Sequence, residues 1–234
     1  MKTPKSFYSR LADFLAPRQC LQCGRRLDPA ERFLCTSCNL WLPRTGYAEK
    51  PFDNPMAQLF YIRTSIVRAA ALFFYQSHAP VSALVYALKY RNRPAIGREF
   101  GLMAATEMQP YDFFQGIDLI VPVPLARRRE RERGYNQSLE IARGVAQLTH
   151  ISIAAGAVCR TRETLSQTLM NHDQRLNNVE GAFTLTDARQ VQGRHVLIVD
   201  DIVTSGATVC ALARELMKAG GVSISVLSLG FTKS

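Results

Sequence analysis

Val196-Leu-Ile-Val-Asp200-Asp201-Ile-Val-Thr204-Ser205-Gly206-Ala207-Thr208 is the stretch on which the reading of this chain turns. An apolar, mostly β-branched run is followed by two adjacent carboxylates, then by small hydroxyl-bearing residues around one glycine. A continuous run such as Val196 to Val199 predicts a strand buried on both faces, because a half-exposed strand would alternate. The acids then stand at the strand's carboxyl end, where open α/β sheets bind their ligands. Thr204 to Thr208 predict a turn into a helix, and such a turn offers amide N–H groups, hydroxyls and a helix N-terminus to an anion. One half of the site is anionic and the other binds anions. A phosphorylated sugar suits both, with hydroxyls donating to the acids and a phosphate in the loop. A capped strand–turn–helix corner explains the hydroxyls but not the paired carboxylates. The chain has no Gly-x-x-x-x-Gly-Lys run, which excludes a nucleotide P-loop, and no Gly-x-Gly-x-x-Gly.

All thirteen positions resemble the phosphoribosyl-pyrophosphate (PRPP) motif of type I phosphoribosyltransferases, a hydrophobic strand, two acids and a hydroxyl-rich loop. The flanking sequence supports a sheet around this strand. Val67 to Tyr75 and Val222 to Leu229 read as further strands. Asp118 to Val121 reads as another, closed by Pro122 and Pro124, which cannot continue a central ladder. Val81, Leu84, Val85 and Leu88 recur at helical spacing. A second helix runs from Asn136 with Leu139, Ala142, Val145 and Ala146 inward, and a third from Ala207 to Ala219 stops at Gly220-Gly221. Strands and helices in this order, with right-handed crossovers, predict an α/β fold with a mostly parallel sheet and helices on both faces.

Two basic clusters accompany these elements. Lys89-Tyr-Arg-Asn-Arg-Pro94 ends the first helix, either as a solvated C-terminal turn favoured by the helix dipole or as part of an anion site. Residues 125–137 read as a loop at the ligand edge of the sheet, carrying five arginines against two glutamates between 127 and 133. Those arginines serve a ligand's pyrophosphate, a nucleic-acid stripe, or a solvated helix face laced with Glu–Arg pairs. Tyr135 beside them is a candidate base-stacking ring or a core residue. Residues 160–183 are polar and aperiodic, and are expected to cover the ligand.

Four of the six cysteines form two pairs, Cys20-Leu-Gln-Cys23 and Cys35-Thr-Ser-Cys38. Two such knuckles supply the tetrahedral thiolate set that structural zinc prefers. A redox dithiol leaves the second pair unexplained, and an iron–sulfur cluster is the remaining alternative. Gly24 is expected to relieve the backbone after the first pair, and Trp41 with Leu42 to cover the metal or dock it. Cys159 and Cys210 are expected to be buried small side chains. The proline-bearing segment from Pro43 to Pro55 marks a boundary. It gives an N-terminal helix and four-cysteine zinc module over residues 1–50 and a phosphoribosyltransferase-like domain over 51–234.

The 234 residues are 47% hydrophobic, enough for a sizeable core, and carry a formal charge of +10 that favours phosphate-bearing partners. Phe7, Leu11, Phe14 and Leu15 recur as in a short amphipathic helix rather than a signal peptide. No apolar run reaches the ~20 residues of a membrane span. A cytoplasmic location without membrane insertion is therefore expected.

The cysteine pairs, Leu88-Lys-Tyr90, Pro122-Val-Pro-Leu125, Arg131-Glu-Arg-Gly-Tyr-Asn-Gln137, Gln167-x-Leu169, Arg175 with Asn178, Gly181-Ala-Phe183 and the strand bearing Asp200-Asp201 together resemble the ComF family. The resemblance runs from Cys20 nearly to the end. It implies a structural zinc ion on Cys20, Cys23, Cys35 and Cys38, and a type I phosphoribosyltransferase fold. It also implies PRPP or a related ribose phosphate, with Mg²⁺, bound by Asp200, Asp201 and Thr204 to Thr208. The implied role is uptake or utilization of external DNA, with single-stranded DNA and a competence helicase or the uptake machinery as partners. The alternative is a single-stranded DNA binding module without transferase activity. No residue is assigned as catalyst.

Overall fold

The computed structural model describes residues 18–161 and 181–232. The expected N-terminal helix, and residues 162–180 of the expected cover, lie outside these. Five strands form one sheet in the order β1-β7-β6-β2-β3: β1 (Arg68–Phe74), β2 (Leu119–Pro122), β3 (Ser152–Ile153), β6 (His195–Val203) and β7 (Ser223–Phe231). Every pairing in it is parallel. β6 is central, with Val199 beside both Pro122 and Leu227, and Val196 to Val199 are fully buried. This is the fold class expected from the strand of unbroken apolar residues. β4 (Val158–Arg160) and β5 (Phe183–Leu185) form a separate antiparallel pair.

Seven α-helices complete the described residues: α1 (Thr36–Leu40), α2 (Pro55–Gln58), α3 (Ser82–Tyr90), α4 (Pro94–Met108), α5 (Arg127–Arg133), α6 (Gln137–Thr149) and α7 (Ala207–Met217). The chain leaves β2 toward β3 but leaves β6 toward β7, in the opposite direction. Right-handed crossovers then set α3, α4 and α6 on one face and α7 on the other. The reversal opens a crevice between the carboxyl ends of β2 and β6, the place where open sheets bind ligands.

The sequence offers no warning of α4. Gly97 and Gly101 weaken its propensity and interrupt its apolar stripe. They are there for packing: a Cβ on Gly101 would lie 2.0 Å from the Ile141 carbonyl oxygen, and one on Gly144 2.0 Å from that of Arg98. The two helices cross backbone to backbone. On α6 the buried face is Gln137, Ser138, Ile141, Ala142 and Val145, whereas Leu139 and Ala146 are only half-buried. The expected loop over 125–137 contains α5, closed by Gly134 at φ 78°. The Pro43–Pro55 segment does not swing free. Thr45 N–H donates to the Leu72 carbonyl at 3.2 Å, Phe74 N–H to that of Pro43 at 2.7 Å, and Tyr47 and Ala48 are buried. Among the described residues no helix is long and apolar enough to cross a membrane.

Candidate ribose-phosphate cleft and cysteine centre

Asp200 and Asp201 lie within β6, just past Val199, where the pairing with β2 ends at the crevice while Asp200 stays paired with Ser228 of β7. Asp200 is 9% exposed as a residue, and its Oδ1 accepts from Ser138 Oγ at 3.2 Å and from the Asp201 amide at 2.8 Å. Burial, reinforced by the neighbouring charge of Asp201, pushes its pKa up to about 7 despite these donors and Lys89. Asp201 instead meets Lys89 Nζ at 3.0 Å. Lys89 comes from the end of α3, so this part of the basic cluster belongs to the site rather than to solvent.

The hydroxyl loop divides by facing. Thr204 and Thr208 line the cleft, while Ser205, Gly206 and Ala207 are buried behind it. Gly206 adopts φ 72° at the N-cap of α7, and its neighbours explain why no side chain is tolerated. A Cβ there would lie 2.8 Å from Phe60 Cε1 and 2.9 Å from Leu59 Cδ2. Arg63 braces the same loop by donating from Nη1 to the Ser205 carbonyl at 2.6 Å. The sequence carried no signal for this support from residues 59–63. Gly206→Ala combines a left-handed backbone with a clash against the fully buried Phe60. It is expected to lower stability by about 2–4 kcal/mol, read as a fall in thermal midpoint; an unchanged midpoint would refute the close packing.

Four cations face the acids across the cleft of about 260 Å³: Lys89, Arg129, Arg133 and Arg160. The arginine run thus splits by helical phase. Arg129 and Arg133, one turn apart on α5, line the cleft, whereas Arg127, Arg128 and Arg131 are exposed. Arg128 pairs with Glu132 at 3.3 Å on that outer face, the solvated Glu–Arg pairing expected for part of the run. Arg160, from β4, is the first residue of the segment expected to cover the ligand, and it lines the cleft. Burial and then the charge of Arg129 pull its pKa down while Asp200 raises it, and its guanidinium lies 5.3 Å from the Phe183 ring centroid. Tyr135 is buried, and its hydroxyl donates to the Leu88 carbonyl, so it is a core residue and not a stacking surface.

The second centre lies at the N-terminal end of the described residues. The sulfurs of Cys20, Cys23, Cys35 and Cys38 all lie within 4.8 Å of one another, and Cys23 and Cys35 are 3.8 Å apart. Tetrahedral zinc–thiolate bonds place sulfurs about 3.8 Å apart, so the set fits such an ion. Backbone amides brace it, with Cys35 N–H on Cys20 Sγ and Cys38 N–H on Cys35 Sγ, both at 3.4 Å. Burial raises Cys20, yet the amides of Cys23, Cys35 and Gln22 bring it down to about 6. Burial and the neighbouring sulfurs drive Cys38 well above the ordinary thiol value. A cation bound among the four sulfurs would favour their thiolate forms.

Gly24 takes φ 73° as the turn after the first knuckle requires. Glu31 ties the intervening loop by accepting from the Asp28 amide at 2.9 Å and from the Thr36 hydroxyl at 2.8 Å. Leu42 is buried, but Trp41 is 84% exposed and covers nothing. Docking falls to Arg44, which makes two 2.7 Å bonds to the Glu107 carboxylate on α4. Cys210 is buried as expected, but Cys159 is exposed because β4 belongs to the small outer pair of strands.

Residues 121–229, from the end of β2 through most of β7, match the phosphoribosyl transferase domain family. DNA utilization protein YhgH of Escherichia coli K12 is 35% identical over 153 residues, covering 64% of this chain and 66% of that protein. Competence protein F of Haemophilus influenzae is 28% identical over 221 residues, covering 90% of this chain and 96% of its own length. In these matches the chain resembles the ComF family. Competence protein ComFC of Bacillus subtilis, 28% identical over 118 residues, covers 47% of the chain and matches over 43% of its own. The alignment with YhgH stops just short of two thirds of that relative. In this ComF-like chain, buried residues of the cysteine segment and of the phosphoribosyl transferase match belong to one hydrophobic core.

Proposed function

We propose that this ComF-like protein binds PRPP, or a related ribose phosphate, with Mg²⁺ in the crevice between β2 and β6, in the service of external DNA uptake or utilization. The carrying observation is one cleft lined by an acid pair, two threonine hydroxyls and four cations. Asp200 and Asp201 hold the ribose hydroxyls. The 5′-phosphate sits against Thr204 and Thr208 and the first amides of α7. Lys89, Arg129, Arg133 and Arg160 face the pyrophosphate, whose departure leaves positive charge on the sugar near the carboxylates. Mg²⁺ would be held through ligand oxygens and waters. Zinc on the four cysteines is structural, since four protein ligands leave no open position. In the same reading residues 1–50 form the metal module, 51–234 the ribose-phosphate domain, and the protein works in the cytoplasm.

The names of the relatives speak of DNA utilization and competence, which supports the cellular role. Titrating PRPP by calorimetry with and without Mg²⁺ tests binding, and pyrophosphate release against a panel of bases and nucleotides tests transfer. Saturable, Mg²⁺-dependent heat is expected; silence toward every ribose phosphate would overturn the reading. Binding without pyrophosphate release would favour the second reading, a single-stranded DNA binding module on a transferase fold. The exposed arginines on the outer face of α5 favour that reading.

A further inference from the structure

The aromatic partner expected for the arginines is not Tyr135, which is buried. Another pair stands on α3, next to the cleft-lining Arg133. Tyr86 and Tyr90, one turn apart on α3, are 60% and 62% exposed and stand with ring centroids 4.9 Å apart. Exposed tyrosines spend apolar surface in water, and the outward side of a helix ordinarily carries polar residues. Arg133, which lines the cleft, places its guanidinium 5.9 Å from the Tyr90 centroid. Lys89 turns the other way, into the cleft and onto Asp201. The two helix ends are locked together, since Gly134 packs so closely on Asn92 that a Cβ would lie 2.6 Å from its Oδ1. Exposed Arg91 and Arg93 follow Tyr90, and exposed Arg127, Arg128 and Arg131 lie on α5.

From this arrangement we infer that Tyr86 and Tyr90 form a base-stacking platform for single-stranded DNA, whose phosphates run along the exposed arginines beside the ribose-phosphate cleft. Unpaired bases stack on aromatic rings while cations follow the backbone, and neither contact requires a particular sequence. A duplex buries its base faces and cannot use such rings. The net charge of +10 is complementary to a polyanion. The inference rests on the proposed DNA role and supplies its contact surface.

The test uses the full-length protein and a fluorescent oligothymidylate followed by anisotropy. Tyr86→Ala with Tyr90→Ala is expected to weaken binding at least about tenfold, and Tyr86→Trp with Tyr90→Trp to retain it. The alanine pair should leave the salt slope unchanged, whereas Arg91→Ala with Arg93→Ala should reduce it by about one to two, since the slope counts phosphate contacts. An abasic strand of equal length should lose the dependence on tyrosine. Wild-type affinity in the alanine pair, or no binding of the oligonucleotide by the wild type, would sink the platform. PRPP titration of Tyr86→Ala separates the two proposals. Normal PRPP binding without a tyrosine effect on DNA fails the platform alone, and a tyrosine effect on DNA without PRPP binding fails the ribose-phosphate reading alone.

Discussion

Replacing Asp200 with asparagine is expected to stabilise the unliganded protein above pH 7 and to weaken ribose-phosphate binding about tenfold to a hundredfold. The carboxyl group loses its proton near 3.8 in an open chain but only near about 7 when buried beside Asp201. Below about pH 4 both states are protonated and the group costs nothing. Between about pH 4 and 7 the unfolded chain sheds its proton while the folded one keeps it, so the group increasingly opposes folding. Above pH 7 the penalty is complete, of the order of 2–4 kcal/mol. Asparagine keeps an Oδ1 to accept from Ser138 and from the Asp201 amide, and removes the charge. The gain in stability should therefore grow from about pH 4 to 7 and persist at higher pH. Under the proposed function the same change removes a charge-assisted bond to a ribose hydroxyl, typically about 1.5–3 kcal/mol. Denaturant unfolding across pH, paired with PRPP calorimetry, reads both. Equal stability of the two proteins at pH 8 would refute the buried-acid argument, and undiminished affinity would remove Asp200 from the ligand. An acid kept at a cost to the empty fold is the mark of a residue retained for binding.

Under the proposed zinc assignment, loss of the metal from the four cysteines is expected to be the second large effect. Cys35 is 1% exposed, its amide donates to Cys20 Sγ, and its own sulfur caps the start of α1. Cys35→Ser therefore removes a metal ligand and a buried sulfur, while its hydroxyl can still cap the start of α1. Between the knuckles only Leu27 and Leu34 are buried and most of the loop is exposed, so a bound metal would supply folding energy there. A loss of roughly 3 kcal/mol would lower the thermal midpoint of a protein this size by about 6–12 °C. The same fall is expected on treatment with a strong chelator, whereas a thiol reductant should change nothing. Zinc near one equivalent by elemental analysis, lost in Cys35→Ser, supports the assignment. Visible charge-transfer absorption would indicate an iron–sulfur cluster, and sensitivity to reductant alone a dithiol pair.

The legible parts of this chain were those written in neighbouring residues. Val196 to Val199 had to be a strand covered on both faces, and all four are buried. The Cys-x-x-Cys turns each aim two sulfurs at one point, and the four meet. Gly206 sits where a loop must turn into a helix, and takes the left-handed backbone that glycine permits. The helix α4 was hidden for the opposite reason. Its glycines read locally as weakness and make sense only against Glu140 and Ile141 of the neighbouring helix α6.

Short-range pattern was enough to specify the parallel sheet, the acid pair at a strand end and the four-sulfur cluster, because periodicity and turn chemistry act over a few residues. Which of many similar residues serve the cleft was settled by long-range packing. Lys89 and Arg160 arrive from separate elements, Arg129 and Arg133 are sorted from Arg127, Arg128 and Arg131 by helical phase, and Tyr135 is buried while Tyr90 faces water. Composition cannot distinguish those members. Strand order and helix packing join residues far apart in the chain, and these contacts choose among side chains that are chemically alike.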